Sequence, residues 1–223
     1  FNRRRRNLMQ VINRIRQVLV QQLEVSQDRC CVIDSLPIPV VPFHLVRRAS
    51  RAWHAHGATF GKVMSKQLTI FGYKLQVLVT LRGIILDFEL APANERDLSV
   101  GVELLAAHTD LTVYGDKGYL SAPAAAELLR TNRVRLLTLP RTNQNARVPA
   151  PIRRTFNVAR QIIETVNSQL ADQFRVERNH AHTFWGLCAR LYTKLTAHTL
   201  CVFINRLLGK PDFLQIKGLA FPA

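Results

Sequence analysis

Three of the 15 acidic residues in this 223-residue chain, Asp34, Asp116 and Glu164, are placed where acids do chemistry. Asp34 closes the short apolar run 30–33, and Asp116 follows the run 111–114 inside Gly115-Asp116-Lys117-Gly118-Tyr119. Strand ends are where ligand sites gather in α/β proteins. Flanking glycines would let a ligand approach the backbone. Glu164 lies in an amphipathic stretch, one step around the helix from Ile163, at the border between the apolar stripe and solvent. Taken singly, each has an ordinary role. Asp34 and Asp116 read as loop aspartates, and Glu164 as the i,i+4 partner of Arg160, worth about 0.2–0.5 kcal/mol. Taken together they point elsewhere. Three convergent carboxylates repel one another unless cations intervene, and hard oxygen ligands suit Mg²⁺, with Mn²⁺ as a substitute. Two such ions about 3.5–4 Å apart would activate an attacking oxygen and stabilise a leaving one in phosphodiester chemistry.

The other acids have structural readings. Asp97 belongs to a capping pattern, Asn94-Glu95-Arg96-Asp97, with Asn94 as N-cap. Asp87 and Glu89 alternate with Leu86, Phe88 and Leu90, as on the solvent face of a strand. The charge balance is strongly positive: 31 Lys and Arg against 15 acids give +16 and a pI near 10.8. That excess implies a polyanionic partner, nucleic acid first. Lys117 and Arg160 are candidate phosphate contacts beside the carboxylates. Arg153 and Arg154, at the start of the same helix as Glu164, are further DNA-binding candidates. The plain alternative for all four is surface charge. The histidines form no ligand spacing, and Trp53 and Trp185 read as packing residues.

The four cysteines include no CxxC pair, which argues against a structural zinc site and for a reducing, cytoplasmic setting. No secretory signal is visible. The most apolar stretch, 184–208, is interrupted by Arg190, Lys194, His198 and Arg206, so no membrane span is expected.

The elements that must position the acids follow from periodicity. Apolar residues at helical spacing predict a helix over 3–23. The strand ending at Asp34 comes next, then an irregular, proline-rich and basic loop over 37–66. Strands at 69–81 and 84–90, joined by Arg82-Gly83, predict a hairpin. Beyond it the pattern reads as a helix ending near His108, a strand at 111–114, a helix over 123–131, a strand at 134–139, a polar loop over 140–151, and helices over 153–174 and 184–208. The economical architecture is a mixed sheet with helices on its faces.

Four segments in this order, Val32-Ile33-Asp34-Ser35, Phe71-Gly72-Tyr73-Lys74-Leu75, Gly115-Asp116-Lys117-Gly118-Tyr119 and Ile163-Glu164-Thr165-Val166-Asn167-Ser168-Gln169-Leu170, resemble the DDE transposases of bacterial insertion sequences. Ala91-Pro92-Ala93-Asn94-Glu95-Arg96-Asp97 fits the same group, and the likeness covers roughly residues 30–200. It implies an α/β, ribonuclease H-like fold with Asp34 on the first strand, Asp116 after the fourth and Glu164 on a later helix. It also implies Mg²⁺-dependent cleavage at insertion-sequence ends and strand transfer into target DNA, with Asp34, Asp116 and Glu164 as catalytic and metal residues. In several branches the third-acid helix carries Tyr and Lys at its outer positions. Here those positions hold Asn157 and Ala171, so the departure touches DNA-end contacts rather than the metal residues.

The domain expectation is an N-terminal amphipathic helix over 1–28, the end of a truncated N-terminal region, then a catalytic domain over 29–209 and a tail over 210–223. The partner expected is double-stranded DNA, at element ends and target, with a homodimer assembled on it in the bacterial cytoplasm, associated with the nucleoid. The contrasting reading is a catalytically inactive or domesticated fragment that binds DNA.

Overall fold

A computed structural model describes residues 2–49, 51–63, 67–140, 149–178 and 180–220. Its centre is a six-stranded sheet. The strands are β1 (Cys30–Val41), β2 (Thr59–Val63), β3 (Leu68–Thr80), β4 (Ile85–Pro92), β5 (Thr112–Gly115) and β6 (Arg135–Thr138). Along the sheet they run β2-β3-β1-β5-β6, with β4 also paired to β3. β1 is antiparallel to β3 and parallel to β5, and β5 is parallel to β6. With helices on its faces, this mixed sheet is the ribonuclease H-like architecture expected from the sequence.

Alternation along β1 explains the two-faced core. Val32, Leu36 and Ile38 point to one face and pack with Ala159, Ile163 and Val166 of α6 (Ala150–Ser168) and Leu187, Leu191 and Leu195 of α7 (Phe184–Leu207). Cys31 and Ile33 point to the other, against Leu104 and Leu105 of α4 (Asp97–Ala106) and Leu128 of α5 (Ala122–Asn132). A third cluster joins Val20 of α2 (Met9–Gln22) to Cys201 and Val202 of α7 and to Ile216 near the C-terminal end. The hairpin β3–β4 forms as expected, and Gly83 supplies the left-handed turn residue with φ +82°.

Several expectations are corrected. The region 37–66 is not one irregular loop. β1 runs on through Pro37 and Pro39 to Val41, a short turn of 3₁₀ helix covers Phe43–Arg48, α3 is Arg51–Ala55, and β2 follows. The prolines are tolerated because β5 pairs with β1 only from Cys30 to Ile33, so that side of β1 has no ladder to interrupt. As β2 is an added strand, Asp116 follows the fifth strand in chain order. The helix over 3–23 is divided at Leu8 into α1 (Asn2–Asn7) and α2. Its apolar stripe is not all buried: Leu8, Val11, Ile15 and Val18 are exposed, while Arg16 is buried and donates to the carbonyls of Ile85 and Leu86.

Asn94 is not an N-cap, because α4 starts at Asp97 and the Asn94 side chain accepts a hydrogen bond from Thr59. Asp87 is half-buried beside His108 at 3.0 Å rather than fully solvated. Trp53 is core, but Trp185 is 55% exposed. Most of the loop over 140–151 lies outside the described residues, and Ala150 and Pro151 already belong to α6.

Candidate active site

The register of β1 and β5 sets two acids side by side. Ile33 pairs with Gly115, so the next residues, Asp34 and Asp116, leave adjacent parallel strands together. β5 stops there while β1 continues, which opens a notch at the end of the parallel pair. Asp34 lies on the sheet face that α6 covers. Asn167 of α6 donates from Nδ2 to Asp34 Oδ2 at 2.8 Å. Burial, and after it the charges of Asp116 and Asp97, push the Asp34 carboxyl up to about 6, against the pull of the Ser35 backbone and Asn167.

The Gly115–Tyr119 segment is shaped by its own side chains. Asp116 Oδ1 accepts from the Gly118 amide at 2.7 Å and caps the short turn Lys117–Tyr119. A Cβ on Gly118 would stand 2.9 Å from that oxygen, and one on Gly115 3.0 Å from the Tyr119 side chain. The two glycines therefore make room for Asp116 and Tyr119 themselves, not for a ligand. Tyr119 is buried, its hydroxyl has no hydrogen-bond partner among the described residues, and burial with the charges of Asp34, Asp97 and Asp116 raises its phenol.

On the opposite face of β1, Asp97 is the first residue of α4 rather than its cap, and its carboxylate is turned to β1 and β3 instead. Its Oδ1 accepts from Ser35 at 3.1 Å and from Lys74 Nζ at 3.0 Å, and its carbonyl accepts from Gln76 at 2.8 Å. Ser35 and Gln76 are cross-strand partners, so this network ties the residue after Asp34 to β3 and to the start of α4.

Glu164 stands apart from these groups. It is 59% exposed and its Oε1 accepts from Arg160 Nε at 2.7 Å. Asn167 follows it by three residues on the same helix, so Glu164 lies about one turn from the residue that touches Asp34. Arg160 also feels the charges of Asp34 and Asp116, which raise its already high pKa further after the dominant effect of Glu164. Among the described residues no group of three or more His, Cys, Asp or Glu side chains is gathered closely enough to hold a metal ion. The structure thus brings Asp34 and Asp116 together and leaves Glu164 paired one turn away. Lys117 is exposed beside Asp116, and Arg153 and Arg154 are exposed on the first turns of α6. Arg153, Arg160, Glu164 and Asn167 recur at helical spacing, so one stripe of α6 leads from cations to the carboxylates.

A family model described as the transposase DDE domain matches residues 24–183. The chain belongs to that family. No curated protein matches it. As a DDE transposase it has DNA as its general partner and divalent cations as its family's general cofactors. Its residues fit a hard cation: Asp34 and Asp116 supply oxygen donors, and a carboxyl pushed up to about 6 by burial first, and by neighbouring negative charge after it, is relieved by positive charge. No helix among the described residues is long and apolar enough to cross a membrane.

Sequence reasoning passed over Asn167, Ser35 and Tyr119 as participants. Asn167 had a usable signal, since it follows Glu164 by three residues and shares its face of the helix. The Asp97–Ser35–Lys74 link had none, because it joins three elements through one sheet face.

Proposed function

We propose that this transposase cuts DNA at the ends of a bacterial insertion sequence and joins them to target DNA, using Mg²⁺ or Mn²⁺, two ions in all, held by Asp34, Asp116 and Glu164. The observation that carries the reading is the pairing of Ile33 with Gly115, which sets Asp34 and Asp116 side by side where their strands part, with the Asp34 carboxyl pushed up to about 6 by burial first and the charge of Asp116 after it. When bound, the ions would activate the attacking oxygen and stabilise the leaving one. The protein's own part is to hold the acids. Asn167 orients Asp34, Gly118 orients Asp116, and Glu164 reaches the notch once Arg160 turns to another anion. Lys117, Arg160, Arg153 and Arg154 are the proposed phosphate contacts. The proposed catalytic unit is 29–209, with α1 and α2 packed on α7 and Phe213, Ile216 and Leu219 in the cluster that holds Cys201 and Val202 of that helix. The proposed assembly is a homodimer on DNA in the bacterial cytoplasm, at the nucleoid.

One observation favours a second reading, a transposase that binds DNA without cutting it: Glu164 is tied to Arg160 and away from the other acids. Incubating the protein and its Asp34→Asn, Asp116→Asn and Glu164→Gln variants with labelled duplex bearing element ends, with and without Mg²⁺, separates the two. Nicks and joined products from the unaltered protein alone support the enzyme. DNA shifted but never cut supports the second reading.

A further inference from the structure

The chain has no acidic residue between Asp34 and Asp87, yet this stretch carries Arg47, Arg48, Arg51, Lys62, Lys66, Lys74 and Arg82. Within it lies a half-open recess of about 550 Å³ lined by Phe43, Arg47, Arg51, His54 and Phe60, among others. Phe43 and Phe60 are 58% and 51% exposed, large apolar rings in a strongly cationic setting. Their centroids are 6.0 Å apart with the planes at 68°, an edge-to-face contact that leaves more than half of each ring in solvent. Phe60 rests on Phe71, whose ring also contacts His54, so the floor of the recess is fixed in the β2–β3 edge. Lys62, two residues along β2, shares the exposed face of Phe60.

An exposed ring offers its face. A duplex offers phosphates and base edges, but its base faces are already covered by stacking. An unpaired base has a free face, and its backbone carries the charge that Arg47 and Arg51 complement. We propose that this recess is a single-stranded DNA site in which an unpaired nucleobase stacks on Phe60 and Phe43 while Arg47 and Arg51 hold the flanking phosphates. The inference rests on DNA being the partner and adds a second contact surface, distinct from the carboxylate notch. It gives the enzyme a place for a base freed when a DNA end is opened.

The test uses the whole chain, without divalent ions, and two probes: a single strand of about 16 nucleotides carrying one 2-aminopurine, and a blunt duplex of the same sequence. With the unaltered protein, binding of the single strand changes the 2-aminopurine fluorescence as the base stacks on a ring. Phe43→Ser combined with Phe60→Ser weakens single-strand binding about tenfold and abolishes that change, while duplex affinity holds. Phe60→Tyr keeps both, which separates loss of the ring from loss of the fold. Arg47→Gln with Arg51→Gln weakens both probes and flattens the salt dependence. The proposal is overturned if the serine variants lose both probes equally, lose neither, or change the protein's mass in light scattering, which would make the patch an interface between copies. If the unaltered protein binds neither probe, DNA as the partner fails as well. Duplex binding with indifferent phenylalanines removes the stacking site alone.

Discussion

Asn167 donates a 2.8 Å hydrogen bond to Asp34 across 133 residues of sequence, and this bond anchors the third-acid helix to the first strand. Glu164 sits one turn earlier on that helix, with its side chain 59% exposed. Its partner is an exposed Arg160, and exposed i,i+4 pairs contribute only about 0.3–0.5 kcal/mol. A DNA phosphate or a cation competes easily with so weak a pair.

Glu164→Gln is therefore expected to leave the thermal midpoint nearly unchanged, within about 0.5 kcal/mol of stability, while cleavage of end-bearing duplex disappears. Arg160→Ala should raise Mn²⁺ affinity, read by calorimetry, because it frees Glu164. Affinity unchanged in Arg160→Ala and in Glu164→Gln alike would remove Glu164 from the cation site.

Asp34 gives a pH-dependent prediction. Its carboxyl binds a proton more readily folded than unfolded, pushed up to about 6. The resulting stabilisation is complete below the unfolded value of about 3.9 and is lost as pH rises through about 6. Asp34→Asn keeps an oxygen to accept from Asn167 and removes the charge. The variant should melt higher than the unaltered protein above pH 6 without metal, with the gap closing below about pH 4. Mg²⁺ should raise the melting point of the unaltered protein and not of the variant. Equal melting points at every pH would contradict the burial argument.

His198 works in the opposite sense. It is fully buried, and burial lowers its pKa to about 4. Gln169 uses its Nε2 to donate to the Leu214 carbonyl, so its Oε1 faces His198 Nε2 at 2.9 Å and the neutral ring donates there. The unfolded chain takes up this proton near pH 6.5 and the folded one only near 4, so stability is full above 6.5 and falls by about 3 kcal/mol as pH drops through that window. Denaturant titrations at several pH values check this. His198→Leu should flatten the acid limb and lower stability at neutral pH, since Gln169 Oε1 loses its donor.

Tyr119 and Gly115 test the loop that carries Asp116. Gly115→Ala puts a methyl 3.0 Å from the Tyr119 side chain and should cost about 1–3 kcal/mol. Tyr119→Phe removes a buried hydroxyl with no hydrogen-bond partner among the described residues, so stability should hold or rise. A large loss in Tyr119→Phe would mean that the hydroxyl has a partner in the working state.

Binding of duplex by the chain should depend steeply on salt and little on sequence, since +16 is spread from Arg3 to Lys217. Lys117→Ala, Arg153→Ala and Arg154→Ala each take one cation away from the phosphates, and each should reduce the log–log salt slope by about 0.9. A terminal repeat preferred by orders of magnitude with a shallow slope would place base readout within these residues.

The local chemistry was legible in the sequence because it depends on near neighbours. The apolar runs before Asp34 and Asp116 had to be strands, Arg82-Gly83 had to turn, and the stripe Phe156, Ala159, Ile163 and Val166 had to bury one face of a helix. The order of the motifs in turn pointed to the family. What only the tertiary structure decided are relations between distant segments. β1 could continue through Pro37 and Pro39 only because β5 ends at Gly115, and nothing in residues 37–66 records where β5 stops. Asn167 rather than Glu164 touches Asp34, because the rotation of α6 about its axis is set by burying Ala159, Ile163 and Val166 against the β1 face of the sheet, while the Glu164 side chain is left to the nearest cation on its own helix. Asp97 reaches Ser35 because Lys74 and Gln76 of β3, the strand paired with β1, hold the start of α4 beside it. Period and propensity act over a few residues, whereas these contacts depend on how separate elements are stacked, and packing alone sets that.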